Sequence, residues 1–454
     1  MTQPASPLWE GARDLAGQLV RAGHEARFAG GCVRDLLLGI EPKDIDIATS
    51  AHPDQVQQIF PQARWVGRAF GVCVVPYQGE TYEIATYRKD LGYRDGRHPT
   101  EVVFTTDRED ALRRDFTING MFFDPATESV IDYVGGQADL QAKIVRAIGE
   151  PGERFREDSL RLIRGIRFSS VLNFTLDPAT QEAIRTHAGL ITMVSPERIQ
   201  TELTRLLTES SSAGEGFRLL DRTELLSRLL PEISALKGVE QPPEFHPEGD
   251  VFTHTMMMLN RMEAPSKVLA WAVLLHDIGK PGTYRIGPDK KGGERIRFDG
   301  HDEWGATLAE AILSRLKFSR KDTEDIVYCV RHHMRFINVP HMRPAKLRRM
   351  IGHPCFETLL ELHRLDCLAS FGGLDTYHLV QKVQAELANQ PVLPPRWITG
   401  RDLIALGMKP GPQIGHWLEL AYEAQLENRY PDRDTLLAWL ARAVATGTEP
   451  HPQA

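Results

Sequence analysis

The spacing of apolar residues divides the chain into two parts with different secondary structure. Up to about residue 145, helical segments alternate with short strand-like runs: HEARFAG, DIDIATS, FGVCVVPY, TYEIATY, EVVF and VIDYV. Beyond about residue 139, apolar residues recur every three or four positions, as in SPERIQTELTRLL and ATLAEAILSRLK, which is typical of amphipathic helices. We therefore predict an α+β protein in which a mixed α/β head precedes an all-helical body.

Turn-rich segments and changes of pattern divide the chain further. We predict a head over residues 1–145, a helical neck over 146–235, a helical body over 236–385 and a helical tail over 386–454. Ser195-Pro196 supplies a capping residue and a first-turn proline for one neck helix. The Gly/Pro/Asp-rich segment from Pro281 to Gly300 predicts a surface excursion that contains a hairpin.

Composition is that of an ordinary globular protein. Of the 454 residues, 42% are hydrophobic and 25% are charged, and a chain of this length buries substantial cores. The apolar run from Val268 to Leu275 is too short to cross a bilayer, and the N-terminus lacks the pattern of a signal peptide. The five cysteines show no C-x-x-C spacing. We therefore expect a reduced, cytoplasmic protein with no membrane partner.

One stretch of the chain is basic, although the chain as a whole carries a net negative charge. The net charge of -7 argues against indiscriminate binding of nucleic acid. Between residues 315 and 349, however, ten basic residues accompany only three acidic ones; the basic residues are Arg315, Lys317, Arg320, Lys321, Arg331, Arg335, Arg343, Lys346, Arg348 and Arg349. Such a run is either a solvated helical face or a contact with a polyanion.

The run KDIDIATS, residues 43–50, places two carboxylates beside each other. Successive strand residues point to opposite faces, so Asp44 and Asp46 are expected on one face. Ile45 and Ile47 then enter a core. Because like charges repel, a fold has no structural need for this pair. The pair has a purpose if it holds Mg²⁺, a hard cation that takes oxygen ligands and bridges triphosphate oxygens.

Upstream, FAGGCVRDLLLG (Phe28 to Gly39) predicts a strand, two glycines and an amphipathic helix. Glycines at such a turn let backbone N–H groups approach a phosphate, and a helix N-terminus favours an anion. Gly30-Gly31 alone is more often a tight turn than a phosphate site. Followed by Arg34 and the paired aspartates, it indicates a site for a magnesium–nucleotide complex.

These motifs resemble the polymerase β-type nucleotidyltransferase superfamily, and within it the class II tRNA nucleotidyltransferases (CCA-adding enzymes) and bacterial poly(A) polymerases. The resemblance spans about residues 28–207 and continues more loosely to the C-terminus. Six stretches carry it: GGCVRDLLLG with KDIDIAT, YEIATYRKDLGYRDGRHPTEVVF, RRDFTINGMFFD, IDYVGGQADL, RFREDSLRLIRGIRF and SPERIQTELTRLL. It implies a polymerase β-like palm in the head and base recognition in the neck.

The resemblance implies which carboxylates are catalytic. Asp44 and Asp46 correspond to the residues that hold Mg²⁺. Glu83, in the apolar strand TYEIATY, fits the position of a third carboxylate. A lone strand glutamate is, by itself, more often a solvent-facing residue.

The resemblance also implies which residues bind the nucleotide. Gly31 and Arg34 correspond to phosphate contacts, and Arg114 in the motif Arg113-Arg114-Asp115 corresponds to the contact with the incoming ribose. An arginine pair beside an aspartate suits a charged, hydroxylated ligand. It equally suits a structural ion pair.

The motif EDSLR, residues 157–161, bears on base selection. On a helix, Asp158 and Arg161 are three residues apart and share a face. A carboxylate acceptor beside a guanidinium donor matches the Watson–Crick edge of cytosine or adenine. The resemblance implies that this pair serves as a protein template, and that Arg164 and Arg167 are further nucleotide or phosphate contacts. An isolated D-x-x-R would indicate only an i,i+3 salt bridge.

Two positions depart from the family pattern. Gly120 replaces the alanine that is common after the T-x-N of the RRD motif. Gly165 lies within a predicted helix, where glycine costs about 1 kcal/mol relative to alanine. Neither change removes a functional group, and Gly165 is expected to loosen the base-reading helix.

A second set of chemically active residues lies in the helical body. LLHDIGKP places His276 and Asp277 at the end of an apolar helix. Imidazole and carboxylate together suit a divalent transition metal that activates water for attack on a phosphoester. The order of these residues resembles the HD-domain phosphohydrolases. It implies the ligands His254, His276, Asp277 and Asp366, with His301 and His332 as auxiliary ligands or phosphate contacts. An active phosphohydrolase and a degenerate, structural HD domain both fit.

The expected function is a tRNA nucleotidyltransferase that uses CTP and ATP to add CMP and AMP to the tRNA 3′ end and releases pyrophosphate. Phosphate neutralisation dominates affinity for nucleic acid. The expected contacts with tRNA are Arg315, Lys317, Arg320, Lys321, Arg348 and Arg349.

Other activities stay open. An enzyme that adds only A is one, and a poly(A) polymerase is another, although the overall acidity speaks against the latter. The segment RKDLGYRDGRHPTEV resembles the flexible loop needed to switch from C to A, which argues against an enzyme that adds only CC. A different class is an HD phosphohydrolase with a nucleotide-binding regulatory head.

Overall fold

The structure is a computed structural model and describes residues 6–67, 70–93, 99–288, 292–370 and 372–446. These residues form two compact units. The first contains the described residues up to 239 together with 255–270 and 311–319, and the second contains 240–254, 271–310 and those from 320 onward. A mixed sheet precedes a long series of helices, so the predicted α+β class is confirmed. The division into four domains stays a prediction.

The head is built on a mixed sheet. Its strands are β1 (Ala26–Ala29), β2 (Asp46–Thr49), β3 (Arg64–Gly67), β4 (Val72–Tyr77), β5 (Glu80–Thr86), β6 (Arg88–Tyr93), β7 (Pro99–Phe104), β8 (Phe122–Asp124) and β9 (Ser129–Ile131). The order in the main sheet is β3-β4-β5-β2-β1-β8-β9. β2 runs parallel to β5 and antiparallel to β1, so β2 lies near the middle of the sheet. β6 and β7 form a separate antiparallel pair.

Helices and aromatic side chains cover the sheet. The helices of the head are α1 (Pro7–Arg21), α2 (Gly31–Leu38), α3 (Pro53–Ile59), α4 (Asp107–Leu112) and α5 (Gly136–Ala142). The rings of Trp9, Phe28 and Phe123 lie 5.3 to 6.3 Å apart and are almost fully buried. Aromatic burial of this kind is a large source of stability. It anchors β1, from which the predicted phosphate-binding turn begins.

The neck differs from the prediction at one point. Its helices are α6 (Pro151–Glu157), α7 (Arg161–Leu172), α8 (Pro178–His187), α9 (Pro196–Glu209), α10 (Ala213–Arg222), α11 (Leu226–Leu229) and α12 (Pro231–Ser234), and a short parallel pair joins β10 (Ile144–Val145) to β11 (Thr175–Leu176). α9 begins after Ser195, as its sequence predicts. The stretch around EDSLR, however, is not one helix: α6 ends at Glu157, and α7 starts only at Arg161.

The rest of the chain is mainly helical. Its elements are α13 (Val251–Leu259), α14 (Lys267–Leu275), α15 (Lys280–Thr283), β12 (Arg285–Pro288), β13 (Glu294–Arg297), α16 (His301–Arg315), α17 (Arg320–His332), α18 (Pro344–Ile351), α19 (Phe356–Ala369), α20 (Asp375–Leu387), α21 (Gly400–Ala405), α22 (Pro412–Leu426) and α23 (Arg433–Thr446). β12 and β13 are the expected hairpin, and residues 289–291, which separate them in the sequence, lie outside the described residues. Among the described helices, none has the length and apolar character needed to cross a membrane. All five cysteines are free thiols.

Candidate active site

The paired aspartates lie at the start of a central strand. Asp46 is the first residue of β2, and Asp44 lies two residues before the strand, so the expected strand begins later than Asp44. Ile45 and Ile47 are buried as predicted, with 1% and 0% of their surfaces exposed. Glu83 is the register partner of Asp46 on the neighbouring parallel strand β5. The structure therefore brings the third predicted carboxylate beside the pair.

The electrostatics of this cluster fit a bound cation. Burial, together with the nearby charges of Glu83 and Asp44, raises the pKa of Asp46 to about 7, and Arg114 acts in the opposite direction. Burial and Asp44 likewise raise the pKa of Glu83. Carboxylates that repel one another in this way are the oxygen donors that Mg²⁺ takes. The donor set of these residues therefore suits a hard divalent ion.

The predicted glycine turn has the expected geometry. Gly30 follows β1 with a φ of 77° and a Cβ there would lie 3.0 Å from Arg114 Nη1, so only glycine fits without strain. Gly31 is the first residue of α2. Arg34, on the same helix, donates to Asp35 Oδ1 at 2.7 and 2.8 Å and to Asn119 Oδ1 at 2.8 Å. These bonds hold its guanidinium at the N-terminal end of α2.

The two arginines of the RRD motif share one carboxylate. Arg113 donates to Asp110 Oδ1 at 2.6 and 2.9 Å, and Arg114 donates to Asp110 Oδ2 at 3.0 and 3.2 Å. Asp115 accepts instead from Arg164 at 2.6 and 2.8 Å. Burial alone would raise the pKa of Asp115, but Arg164 and the more distant charge of Arg161 hold it at about 2. The motif therefore forms structural ion pairs, which is one of the two interpretations that its sequence allows. Arg114 also acts electrostatically on Asp46.

Asp158 and Arg161 do not share a helix face. Asp158 has an extended backbone between α6 and α7, and its Oδ2 accepts from Arg198 Nη2 at 2.8 Å. Arg161 donates to Glu157 at 2.7 Å and to the carbonyl of Arg113 at 2.7 Å. The prediction of a shared helix face is wrong, because the backbone leaves the helical conformation between these residues. Both side chains nevertheless line the same cavity.

Arg164 and Arg167 differ in their surroundings. Arg164 bonds Asp115, and its Nη1 lies 3.6 Å from Glu202 Oε1. Arg167 is only 2% exposed, and its Nε donates to Glu202 Oε2 at 2.5 Å. Burial lowers the pKa of the Arg167 guanidinium. Arg167 is therefore held in the wall of the cavity, whereas Arg164 is the more accessible of the two.

One cavity of about 700 Å³ brings these residues together. Its lining includes all nine residues predicted for the head reaction and the nucleotide: Gly31, Arg34, Asp44, Asp46, Arg114, Asp158, Arg161, Arg164 and Arg167. Ligand pockets for drug-sized molecules have volumes of about 300–1,000 Å³. The size and the mixed charge of this cavity suit a nucleoside triphosphate with its metal.

Sequence reasoning missed three residues that support this site. Asn119 donates to Asp115 and accepts from Arg34, which links the RRD motif to α2. Arg198 and Glu202 reach the cavity residues from α9. Glu202 left a signal in the sequence, because it is an acidic residue on the apolar face defined by Ile199, Leu203 and Leu206.

Part of the predicted C-to-A loop lies in the β6–β7 pair. Arg88–Tyr93 and Pro99–Phe104 are the two strands of this pair. Arg88 donates to the carbonyl of Phe70 at 2.6 Å. Residues 94–98, which complete the loop, lie outside the described residues.

The predicted HD residues meet in the second unit. His254 Nε2 lies 3.1 Å from Asp366 Oδ1, and His276 Nε2 lies 3.1 Å from Asp277 Oδ2. The group His254, His276 and Asp366 and the group Asp277, His301 and His333 each hold their donor atoms within 4.8 Å of one another. Three buried atoms of this cluster, His254 Nε2, His276 Nε2 and Asp277 Oδ1, have carboxylate or imidazole partners within the cluster at 3.1, 3.1 and 3.5 Å. Buried polar atoms of this kind fit ligands of a divalent metal.

One histidine of this cluster was predicted wrongly. The cluster contains His333, whose Nε2 lies 3.2 Å from His301 Nε2. His332 packs against Tyr328, with ring centroids 4.4 Å apart, because adjacent residues at a helix end point in different directions. Burial, with His301 and His276 nearby, lowers the pKa of His333 to about 4. The structure therefore places His333, and not His332, in this cluster.

The basic stretch contains one residue that is not at the surface. Arg348 is 6% exposed and donates to the backbone carbonyls of Pro391, Val392 and Leu426. Its prediction as a surface contact is wrong, since its guanidinium serves to join α18 to neighbouring segments. Arg315, Lys317, Arg320 and Lys321 are exposed, and Arg349 is partly exposed.

Comparisons with known proteins agree with this arrangement. Residues 26–146 match the family model described as the poly A polymerase head domain, 173–237 match the probable RNA and SrmB-binding site of polymerase A, and 250–359 match the HD domain. The CCA-adding enzyme of Levilactobacillus brevis is 32% identical over 430 residues, which cover 93% of this chain and 96% of that protein. The chain belongs to the CCA-adding enzyme family. The predicted family resemblance is thereby confirmed.

Two further relatives of this family are informative. The A-adding tRNA nucleotidyltransferase of Deinococcus radiodurans is 33% identical over 419 residues, covering 88% of this chain and 91% of that protein. The crystal structure of the Bacillus stearothermophilus CCA-adding enzyme in complex with CTP has a TM-score of 0.75 and 27% identity, covering 97% of this chain and 99% of that chain. The likeness to the fold of this CCA-adding enzyme therefore extends along nearly the whole chain.

The two departures from the CCA-adding family pattern have a packing explanation. A Cβ at Gly120 would lie 2.8 Å from Val134 Cγ2 and 2.9 Å from Ile148 Cδ1. A Cβ at Gly165 would lie 3.1 Å from the ring of Phe116. Neighbouring side chains therefore occupy the space of the missing methyl groups. Gly165 allows α7 to pack closely against Phe116. The expected loosening of α7 stays a prediction.

Proposed function

We propose that this chain is a tRNA nucleotidyltransferase that adds CMP and AMP from CTP and ATP to the tRNA 3′ end and releases pyrophosphate. The observation that carries the proposal is the single cavity in which the carboxylate pair, the glycine turn and the pair Asp158 and Arg161 meet. Binding of RNA alone has no use for paired carboxylates beside a phosphate-binding turn. Membership of the CCA-adding enzyme family supports the same activity.

In this proposal, some residues of the head bind the metal ion and others bind the triphosphate. Asp44 and Asp46 would hold Mg²⁺, with Glu83 as the neighbouring third carboxylate. A magnesium ion bound there would lower the pKa of the attacking ribose hydroxyl and neutralise charge on the leaving pyrophosphate. The backbone of Gly31 and the guanidinium of Arg34 bind triphosphate oxygens.

The neck residues select the base in this proposal. Asp158 accepts a hydrogen bond from the exocyclic amine of cytosine or adenine, and Arg161 donates to the adjacent ring nitrogen. Arg114 contacts the ribose of the incoming nucleotide. The division into a head (1–145), neck (146–235), HD body (236–385) and tail (386–454) assigns transfer to the head and base recognition to the neck. Because its proposed substrate is tRNA, we expect the protein to act in the cytoplasm.

An incorporation assay tests the proposal. Purified protein is incubated with tRNA that ends before CCA, before the final A, or after the complete CCA, and each labelled nucleotide is supplied separately. We expect CMP on the first tRNA and AMP on the second. The double variant D44A/D46A should lose incorporation, whereas H276A/D277A should retain it. Extension of tRNA by D44A/D46A would refute the assignment.

An A-adding activity is the second candidate for the same site. The relative from Deinococcus radiodurans, which is named an A-adding tRNA nucleotidyltransferase, matches this chain about as well as the CCA-adding relative does. The same assay separates the two, because an A-adding enzyme extends only the tRNA that ends before A. A poly(A) polymerase would instead add repeated AMP to unrelated RNA ends.

The HD cluster supports a phosphohydrolase as an additional activity. Its buried, closely grouped donor atoms suit a divalent transition metal that activates water on a phosphoester. The expected ligands are His254, His276, Asp277 and Asp366. Metal analysis of purified protein should find a transition metal in the wild type and in H378A, an exposed histidine outside the cluster. Metal content that is unchanged in H276A/D277A would contradict this assignment.

A further inference from the structure

One face of α9 bonds two residues that line the nucleotide cavity, Asp158 and Arg167. Arg198 and Glu202 lie four residues apart on α9 and therefore share a face. Glu202 is 4% exposed and bonds Arg167. Arg198 Nη2 donates to Asp158 Oδ2 at 2.8 Å. α9 thus contacts the cavity wall through one acidic and one basic side chain.

The orientation of the Asp158 carboxylate depends on few contacts. Its backbone, with φ of -138° and ψ of 104°, lies in the break between α6 and α7, so helical geometry does not determine its direction. Oδ1 accepts from the backbone N–H of Leu160 at 3.1 Å, which is a local bond. The bond from Arg198 comes from a helix 40 residues further along the chain. It is the contact that ties the carboxylate to the rest of the neck.

We propose that Arg198 is a positioning residue for base selection and that it acts through Asp158. This inference rests on the proposed function. Cytosine and adenine carry an exocyclic amine that donates, whereas uracil and guanine carry a carbonyl at the corresponding position. A carboxylate oxygen held at a set direction accepts from the amine and repels the carbonyl. Arg198 therefore favours CTP and ATP over UTP and GTP without contacting the base.

The partial exposure of the Arg198–Asp158 ion pair makes a role in folding stability distinguishable from a role in base selection. The side chains of Arg198 and Asp158 are 23% and 24% exposed. Partly exposed ion pairs of this kind contribute little to folding stability. Loss of Arg198 should therefore appear in nucleotide choice rather than in the fold. Arg185 offers a matched control, because it also bonds carboxylates, those of Glu182 and Glu224, but lies outside the cavity lining.

The test compares R198A, R198K and R185A with the wild type. Incorporation from each of the four nucleotides onto tRNA that ends before CCA and before A is measured in the steady state, with kcat and KM for each. In R198A we expect the preference for CTP and ATP over UTP and GTP to fall about tenfold, mainly through a raised KM for CTP and ATP. R198K keeps a cationic donor and should retain most of the preference, and R185A should match the wild type.

Each outcome decides the inference. A uniform loss of rate in R198A, with an unchanged ratio among the four nucleotides, overturns it and leaves Arg198 a structural residue. If R198A does not fold, R198Q takes its place, because glutamine keeps a neutral donor on a long side chain. Its preference for CTP and ATP over UTP and GTP is then compared with that of the wild type. A wild type that incorporates no nucleotide would overturn the proposed function itself, whereas a selective wild type with an equally selective R198A overturns only the role of Arg198.

Discussion

The hydrogen-bond partners of single residues at the site do not follow from the spacing of those residues in the sequence. Asp158 and Arg161 have the spacing of an i,i+3 pair, yet each bonds a different partner, Arg198 and Glu157. Asp110 and Asn119 hold the arginines of two separate motifs. Because a guanidinium has five donors in a rigid fork, one carboxylate or amide can fix its direction. Local spacing therefore identifies these residues without identifying their contacts.

A glycine substitution tests packing at the residue scale. G120A would place a methyl group 2.8 Å from Val134 and 2.9 Å from Ile148, so one of them must move. We expect G120A to lower the free energy of unfolding by about 1–3 kcal/mol, the usual cost of overpacking. Urea denaturation of the purified protein measures this. G17A, where the nearest atom is the mobile end of Arg21, should be neutral or stabilising, and equal stability of the two variants would contradict the packing account.

Helices α7 and α9 act together as one supporting element. Glu202 on α9 pairs with Arg167 and approaches Arg164, both on α7. The apolar residues Ile199, Leu203 and Leu206 of α9 are buried as well. A buried charge is tolerated only with a partner, since desolvation of an unpaired ion is costly. Glu202, the acidic residue on the apolar face of α9, is therefore needed as the partner of the buried Arg167 on α7.

Removing that carboxylate should destabilise the pair of helices. E202A leaves the guanidinium of Arg167, which is 2% exposed, without its Nε partner. We expect the free energy of unfolding to fall by about 3–5 kcal/mol, measured by chemical denaturation. E197A, an exposed residue of the same helix, serves as the control and should change stability by less than about 1 kcal/mol. A loss in E202A as small as that in E197A would show that Arg167 finds another partner.

At the scale of the whole molecule, the chain carries two separate groups of chemically active side chains. The carboxylates Asp44, Asp46 and Glu83 belong to the first compact unit, and the histidine cluster belongs to the second. The basic stretch has residues in both units. Its members Arg320 and Lys321 are 92% and 72% exposed, and each pairs with an acidic residue one helical turn away. Exposed pairs of this kind exchange partners at little cost.

The exposed basic residues should contribute to tRNA binding. R320A/K321A removes two cations, and neutralising each phosphate adds about 0.9 to the slope of log K against log salt. We expect weaker tRNA binding and a slope that is shallower by about 2, measured by filter binding or anisotropy across a salt series. R185A removes a paired arginine outside the stretch and should leave the slope unchanged. An unchanged slope in R320A/K321A would leave these residues as a solvated helical face.

Much of the site follows from local sequence. The strand, glycine turn and helix from Phe28 to Gly39 form as their pattern predicts, because backbone conformation there depends on glycine and on apolar spacing within a few residues. The mixed head and the helical remainder follow from hydrophobic periodicity for the same reason. Residues with a motif, such as Asp46 and Arg34, line the cavity as expected.

What the sequence by itself determined is which residue types are present for phosphate, metal and base chemistry, and which local elements carry them. Only the tertiary structure decided that Arg198 rather than Arg161 bonds Asp158, and that His333 rather than His332 joins the histidine cluster. These contacts join residues far apart in the chain or depend on where a helix stops. Propensity and periodicity act over a few residues, whereas such partners are chosen by packing across the whole fold.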